Sequence, residues 1–303
     1  MLYKKWIIFL CLESTNFISM HIFVKIEAMK ILNGLELASY IKERQAKQVR
    51  SLRQSWRVIP RLAIVRTGDN SVIDTYMRLK RVYGEDILVE VDVYNSSDSE
   101  LLTKIKELND DDNVHGIIIQ LPLANPEQTE AAVNLVLPEK DVDGLGLNSL
   151  FIPATAMAID WLLAGYNVEL KGREIAIIGN GRLVGAPLFA LWKSANLNVS
   201  VYDDQTCDLA DAIKTADVIV SATGVPGLIK SSMIKQKAAI VDAGTASEGG
   251  KIVGDVADDV RERTDLAITP IKGGVGPLTI AALFDNVITA ARRVADEKGQ
   301  QDL

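Results

Sequence analysis

The stretch Glu174-Ile175-Ala176-Ile177-Ile178 has the composition of a buried strand, and Gly179-Asn180-Gly181-Arg182-Leu183-Val184-Gly185 follows it without a break. No other segment limits the fold so tightly. Glycines at this spacing let a chain leave a strand in a tight turn and enter a helix whose N-terminal amides stabilise a diphosphate. Glycines also serve ordinary turns and packing, so the strand before and the helix after carry the cofactor reading. The next strand ends in Val201-Tyr202-Asp203-Asp204. An acid at that point accepts hydrogen bonds from ribose hydroxyls and repels a 2′-phosphate, which favours NAD over NADP. Two readings stay open: the acidic pair as a solvated turn, and Arg182 as a phosphate ligand.

The rest of the chain repeats the strand and helix alternation expected of βαβ units around parallel sheets. Helices are expected over Leu35–Leu52, Val72–Tyr83, Glu100–Leu108, Gln128–Val136, Thr155–Leu163 and about Leu278–Val294. Strands are expected over Arg61–Val65, Ile87–Tyr94, Gly116–Leu121, Glu174–Ile178, Asn198–Val201, Val218–Ser221, Ala239–Asp242 and Leu266–Thr269. At 303 residues the chain exceeds one ordinary core, and its period breaks in the Gly- and Asp-containing turns of Asp141–Ser149. The expected division is a first α/β domain over 29–150, completed by 278–295, and a cofactor domain over 151–277. Residues 1–28 read as an extension ahead of Met29, and 296–303 as a polar tail.

Net charge is −7, which argues against broad contact with nucleic acid or an anionic membrane surface, so an anionic ligand must be held locally. The apolar run Trp6–Leu12 meets Glu13 and is too short to span a bilayer. Cys11, Cys207, His21 and His115 have no metal-ligand spacing, so no metal is expected, and the lack of a disulfide framework fits a reducing cytoplasm.

In the first domain Tyr76 and Lys80 are four residues apart on an expected helix and so share a face. Short-chain dehydrogenases use the same spacing after their glycine loop; here the pair precedes the loop by a wide margin, which points to another enzyme. Singly, Lys80 reads as a solvated helix lysine and Tyr76 as a packing residue. Gln120-Leu121-Pro122-Leu123 follows an apolar strand, and Asp141-Val142-Asp143-Gly144 forms a turn. An amide at a strand end can orient a lysine, and a carboxylate can read a donor-rich heterocycle. As ordinary strand-end and turn residues, Gln120 and Asp143 need no function.

Taken in order, these signposts resemble the bifunctional methylenetetrahydrofolate dehydrogenase/methenyltetrahydrofolate cyclohydrolase family. They are Tyr76-x-x-x-Lys80, the Gln120–Leu123 stretch, Pro138–Gly144, the Gly179 loop, Thr223–Pro226, Gly254–Val256 and the Thr269–Thr279 stretch with its double glycine at Gly273-Gly274. The resemblance covers about Met29 to Val294. It implies two α/β domains, the second of Rossmann type, with the last helix returning to the first. It implies two reactions in one-carbon metabolism: oxidation of 5,10-methylenetetrahydrofolate by NAD(P)+ and hydrolysis of the methenyl product to 10-formyltetrahydrofolate. Lys80 would handle the proton of the attacking water, with Gln120 holding and tuning it. Tyr76 would stack on the folate, and Asp143 would accept hydrogen bonds from the pterin.

By the same resemblance, Pro122, Gly273, Gly274, Pro277 and Thr279 would also line the folate site. Gly179, Asn180, Gly181, Arg182, Gly185, Asp203, Asp204, Thr223, Gly224 and Gly274 would hold the cofactor, and the chain would form a homodimer through the cofactor domain. Several positions depart from the family's pattern. Ile73 stands for a serine, Ala154 and Ala156 interrupt a Pro-Cys-Thr-Pro stretch, and Lys272 replaces a proline. Asn180-Gly181 replaces Arg-Ser in the cofactor loop, and Asp203-Asp204-Gln205 replaces His-Ser-Arg/Lys. The last changes remove expected 2′-phosphate contacts and favour NAD. A dehydrogenase lacking the hydrolytic step, and a degraded relative that senses folate or nucleotide, remain the competing readings.

Overall fold

The structure is a computed structural model describing residues 29–68, 71–244, 246–248 and 251–301. The 1–28 extension therefore lies outside the described residues. The elements run β1 (Lys30–Ile31), α1 (Gly34–Ser55), β2 (Arg61–Arg66), α2 (Ser71–Ile87), β3 (Glu90–Asn95), α3 (Leu101–Asp110), β4 (Gly116–Ile119), α4 (Thr129–Leu135) and α5 (Ala154–Gly165). They continue with β5 (Ile175–Ile178), α6 (Gly185–Ser194), β6 (Val199–Tyr202), α7 (Leu209–Ile213), β7 (Val218–Ser221) and β8 (Ala239–Asp242). A hairpin of β9 (Ala246–Glu248) and β10 (Lys251–Val253), then α8 (Asp258–Arg261), β11 (Ala267–Ile268) and α9 (Val275–Gln301) complete the chain.

Two parallel sheets result, one ordered β3-β2-β4 and the other β1-β11-β8-β7-β5-β6. Strands buried on both faces divide their side chains by the two-residue period. Leu62 and Ile64 of β2 face one core while Ala63 and Val65 face another; Ile175 and Ile177 of β5 are separated from Ala176 and Ile178 in the same way. The first of these cores runs through both sheets, because α1, α5 and α9 pack together between them. Phe284 and Leu278 of α9, Leu162 of α5 and Val49 of α1 are fully buried there. The last helix thus packs on the first domain, as the resemblance implies.

The structure corrects four readings of the sequence. Ile87 ends α2 instead of starting β3, because its fully buried side chain continues the helix's apolar face and Leu88 then breaks the helix at φ 67°. Helix α9 begins at Val275, inside the glycine loop, and Pro277 fits its first turn because amides there have no helical partner. The same helix runs to Gln301, so most of the expected polar tail is helical. Lys30 and Ile31 pair with Ala267 and Ile268, which makes the start of the described chain an edge strand of the second sheet. None of the helices among the described residues is long and apolar enough to cross a membrane.

Arg263 ties the end of the second sheet together. Its guanidinium donates to both Asp265 oxygens (3.0 and 2.7 Å) and to the carbonyl of Ile234 (2.8 Å). The hydrogen bonds from Arg263 hold the Asp265 carboxyl down at about 2, against an ordinary value of 3.8. A depressed carboxylate contributes stability above its unfolded value and loses it as pH falls through the folded one. Asp265→Asn should therefore flatten the fall of the thermal midpoint between about pH 4 and 2 relative to the parent chain. Solvent screening at this partly exposed pair keeps the effect small; equal slopes in the two proteins would refute it.

Candidate active site

In parallel sheets the carboxyl ends of the strands gather loops at one edge, and polar side chains there face a cleft. After β4, the Gln120 amide nitrogen donates to the carbonyl of Val65 (2.8 Å), extending the β2–β4 ladder by one residue and fixing where the Gln120 side chain starts. Its Nε2 donates to the carbonyl of Leu121 (2.9 Å), and Oε1 accepts from Lys80 Nζ at 3.1 Å. The amide is thus aimed with its acceptor at the lysine. Pro122 follows through a cis Leu121–Pro122 bond. Tyr76 lies one turn before Lys80 on α2, but its side chain is outside the described residues, as is that of Ile73.

Asp143, on the loop after β4, lies near enough for its charge to act on the lysine. Buried Asp141 organises that loop: its Oδ2 accepts from the amide of Gly146 (2.8 Å) and its Oδ1 from that of Gly144 (3.2 Å). Helix α9 clamps the loop from behind, where the buried Asn286 Nδ2 donates to the carbonyls of Val142 (2.9 Å) and Ile152 (3.0 Å). Desolvation lowers the Lys80 pKa from the ordinary 10.5, and the nearby Asp143 charge opposes the shift. Desolvation raises that of Asp143, with the Lys80 charge opposing. The outcome is a partly buried lysine whose desolvation shifts it toward the neutral form, oriented by an amide and within the field of a carboxylate.

Asn286 and Asp141 were missed in the sequence. The only signals were a polar residue on the otherwise apolar face of α9 and a second aspartate in the Asp-x-Asp turn.

The second sheet reverses its strand order at β5, which lies between β6 and β7. The loops after β5 and β7 meet at this switch point. Gly179 has φ 96°, and a Cβ there would lie 2.5 Å from the carbonyl oxygen of Ala222, so only glycine fits. A Cβ on Gly185 would fall 1.7 Å from the Gly179 oxygen, so the turn can close only around these two glycines. Beside Gly181 there is open space, and no side chain caps the start of α6. An exposed glycine edge at an uncapped helix start fits the diphosphate of a dinucleotide. Thr223 and Gly224 lie opposite, and the Thr223 amide and hydroxyl both donate to Asp255 Oδ2 (2.7 and 2.9 Å).

Other expected cofactor residues are engaged within the protein. Arg182 forms an ion pair with Glu130 of α4, which joins the cofactor loop to the first domain. The Asp203 Oδ1 accepts from the Gln205 amide at 3.1 Å, so the turn reading and the ribose reading share this carboxylate. Asp204 is exposed beside it.

Gly273, at φ 81°, accepts at its carbonyl from the Leu35 amide (2.9 Å), and a Cβ on Gly34 would lie 1.8 Å from the Gly274 oxygen. The start of α1 therefore seats the double-glycine loop, a role for Gly34 that no sequence pattern revealed. Thr279 Oγ1 bonds back to the Val275 carbonyl (3.3 Å) within α9.

A dinucleotide cradle at a switch point, with a partly buried lysine and amide at the strand ends of a second sheet, defines a two-domain α/β enzyme of the nicotinamide-linked class. Residues 32–143 match the model of the tetrahydrofolate dehydrogenase/cyclohydrolase catalytic domain, and residues 153–295 that of its NAD(P)-binding domain. This chain belongs to the tetrahydrofolate dehydrogenase/cyclohydrolase family.

Among its relatives, the bifunctional protein FolD of Hydrogenobaculum is 37% identical over 280 residues, covering 88% of this chain and 99% of the relative. The crystal structure of the FolD methylenetetrahydrofolate dehydrogenase/cyclohydrolase from Campylobacter jejuni superposes with a TM-score of 0.83 at 35% identity, covering 88% of this chain and 99% of the other. The Trypanosoma brucei enzyme, solved with NADP and an inhibitor, gives 0.82 at 31% identity over 88% and 98% of the two chains.

Proposed function

We propose that this chain oxidises 5,10-methylenetetrahydrofolate with a nicotinamide cofactor and hydrolyses the methenyl product to 10-formyltetrahydrofolate. The observation carrying the second activity is the Lys80–Gln120 hydrogen bond beside Asp143. The first step is one of positioning: hydride loss leaves an amidinium stabilised by two nitrogens, so close approach matters more than a strong base. A bound nicotinamide supplies the hydride acceptor. In the second step the neutral Lys80 amine takes a proton from water as its oxygen bonds to the methenyl carbon. The resulting ammonium returns that proton to the leaving N5 as the carbon–N5 bond breaks, and the hydroxyl on the former methenyl carbon loses its remaining proton to solvent as the formyl carbonyl forms. Gln120 aims the lysine, Asp143 accepts from the pterin, and Tyr76 stacks on the ring system. Pro122, Gly273, Gly274, Pro277 and Thr279 complete the folate site in this reading.

We further propose NAD as the preferred cofactor, held by Gly179, Asn180, Gly181, Gly185, Thr223, Gly224 and Gly274. Support comes from the Asp203-Asp204 pair after β6, the absence of arginine and serine at Asn180 and Gly181, and the engagement of Arg182 by Glu130. Residues 29–150 with α9 would form the folate domain and 151–277 the cofactor domain, within a cytoplasmic homodimer. Steady-state kinetics with methylenetetrahydrofolate and each cofactor test the assignment. The expected kcat/KM is higher for NAD, and the reverse order would refute the preference. Decay of methenyl absorbance without cofactor reads the hydrolytic step separately.

A further inference from the structure

Burying a polar side chain is costly unless its partners are in place, and Gln45 of α1 is fully buried where α1, α2 and α9 meet. Its Nε2 donates to the Ala281 carbonyl (2.8 Å) and to Asp285 Oδ1 (3.2 Å), both of them acceptors. The Gln45 Oε1 must then face the other way, where the Tyr83 hydroxyl of α2 donates to it at 2.8 Å. Burial, followed by the Asp285 charge, pushes the phenol's pKa up, so the hydroxyl stays a donor. The Tyr83 ring is stacked on Phe284 of α9, with centroids 5.1 Å apart. Gly84, the next residue, has no room for a side chain: a Cβ would lie 2.5 Å from Val91 Cγ2, so α2 is pressed against β3 at this turn. Neither Tyr83 nor Gln45 takes part in the reaction steps proposed above.

Lys80 lies three residues before Tyr83, on the adjoining turn of α2. We infer that the Tyr83 hydroxyl, held by Gln45, is a positioning group for the hydrolytic step: it fixes the rotation of α2 that sets Lys80 Nζ 3.1 Å from Gln120 Oε1, an inference that rests on the role given to Lys80 above. A side-chain tip about 5–6 Å from a helix axis moves by about 1 Å when the helix turns by about 10°. Misplacement of that size at a reacting centre costs about a hundredfold. The stack on Phe284 tolerates sliding, whereas a hydrogen bond has a preferred direction and resists the turn. Helix α9 is the common reference: Phe284 meets Tyr83, Asp285 accepts from Gln45, and Asn286 donates to the Val142 carbonyl in the loop of Asp143. Three successive residues thus hold the lysine's helix and the aspartate's loop in one frame.

Tyr83→Phe keeps the ring and removes only the hydroxyl. The readouts on the full-length chain are kcat for methenyl hydrolysis, kcat for the dehydrogenase reaction and the pH midpoint of hydrolysis. Hydrolysis should fall about ten- to a hundredfold and dehydrogenase activity far less, and the pH midpoint should move lower, because a loosened Gln120 contact favours the ammonium less. The substitution also strands the buried Gln45 acceptor and so lowers stability. Gln45→Met/Tyr83→Phe removes the stranded acceptor: its thermal midpoint should recover while hydrolysis stays low and the pH midpoint stays shifted. Should the single variant not fold, the double variant decides by the same readouts. Hydrolysis that recovers with stability, parallel losses in both reactions, or an unmoved pH midpoint would overturn the inference and leave the Lys80 reading intact. If Lys80→Ala spares hydrolysis in the same assays, the Lys80 reading fails and this inference with it.

Discussion

Replacing Lys80 with alanine is expected to lower the methenyl hydrolysis rate by about two to four orders of magnitude, the usual contribution of a positioned proton carrier, and to lower dehydrogenase activity far less. The asymmetry follows from the chemistry, since only hydrolysis moves a proton between water and leaving nitrogen. The pH profile makes the assignment sharper. Desolvation lowers the lysine's pKa below 10.5 and the neutral amine is the active form, so the hydrolysis rate should rise with pH and level off at a midpoint below that value. Gln120 Oε1 accepts from the lysine and favours the ammonium, so Gln120→Ala should move the midpoint lower still. Parallel losses in both reactions for Lys80→Ala, or a hydrolysis rate independent of pH, would assign the lysine to folding or general binding.

The second large effect is expected from Asp242→Ala, at the end of β8. This carboxylate accepts from the amides of Gly244 (3.3 Å), Asp255 (3.0 Å) and Val256 (3.2 Å) and from Arg261 (2.8 Å). Asp242 is 5% exposed and Arg261 16%, so removing one partner leaves a buried cation and three amides without their acceptor. Such a loss costs about 3–5 kcal/mol. Asp242→Ala/Arg261→Leu should recover part of it, because the stranded charge is gone, although Arg261 also donates to the Thr269 carbonyl (3.0 Å). Urea unfolding reads both variants; a single variant within about 1 kcal/mol of the parent, or a double variant no better than the single, would refute the account. Asp255, seated on this carboxylate, carries Thr223 at the cofactor cradle, so cofactor KM should rise along with the loss of stability.

The parts of the site that were legible in the sequence are local ones. The strand, glycine turn and helix at Glu174–Gly185 can be read because strand burial, left-handed glycine conformation and helix start are all properties of neighbouring residues. Tyr76 and Lys80 share a helix face by spacing alone. Their connection to Gln120 and Asp143 came through resemblance, since nothing local joins residues separated by three elements. The engagement of Arg182 by Glu130 could not be anticipated either: a loop arginine reads as a phosphate ligand until the facing domain is known.

The glycine loop at Gly179 thus belongs to what the sequence by itself determined, along with the two-sheet α/β class and the identity of the polar groups at the strand ends. These follow from periodicity and backbone sterics, which act within a few residues. The tertiary structure alone decided which distant residues hold that chemistry in place. It set β1 on the far edge of the cofactor sheet, Gly34 against the Gly274 carbonyl, and Asn286 of α9 beneath the loop of Asp143. Those contacts arise because α1, α5 and α9 must bury their apolar faces against one another. Their apolar patterns specify burial but not the partner, and only packing selects it.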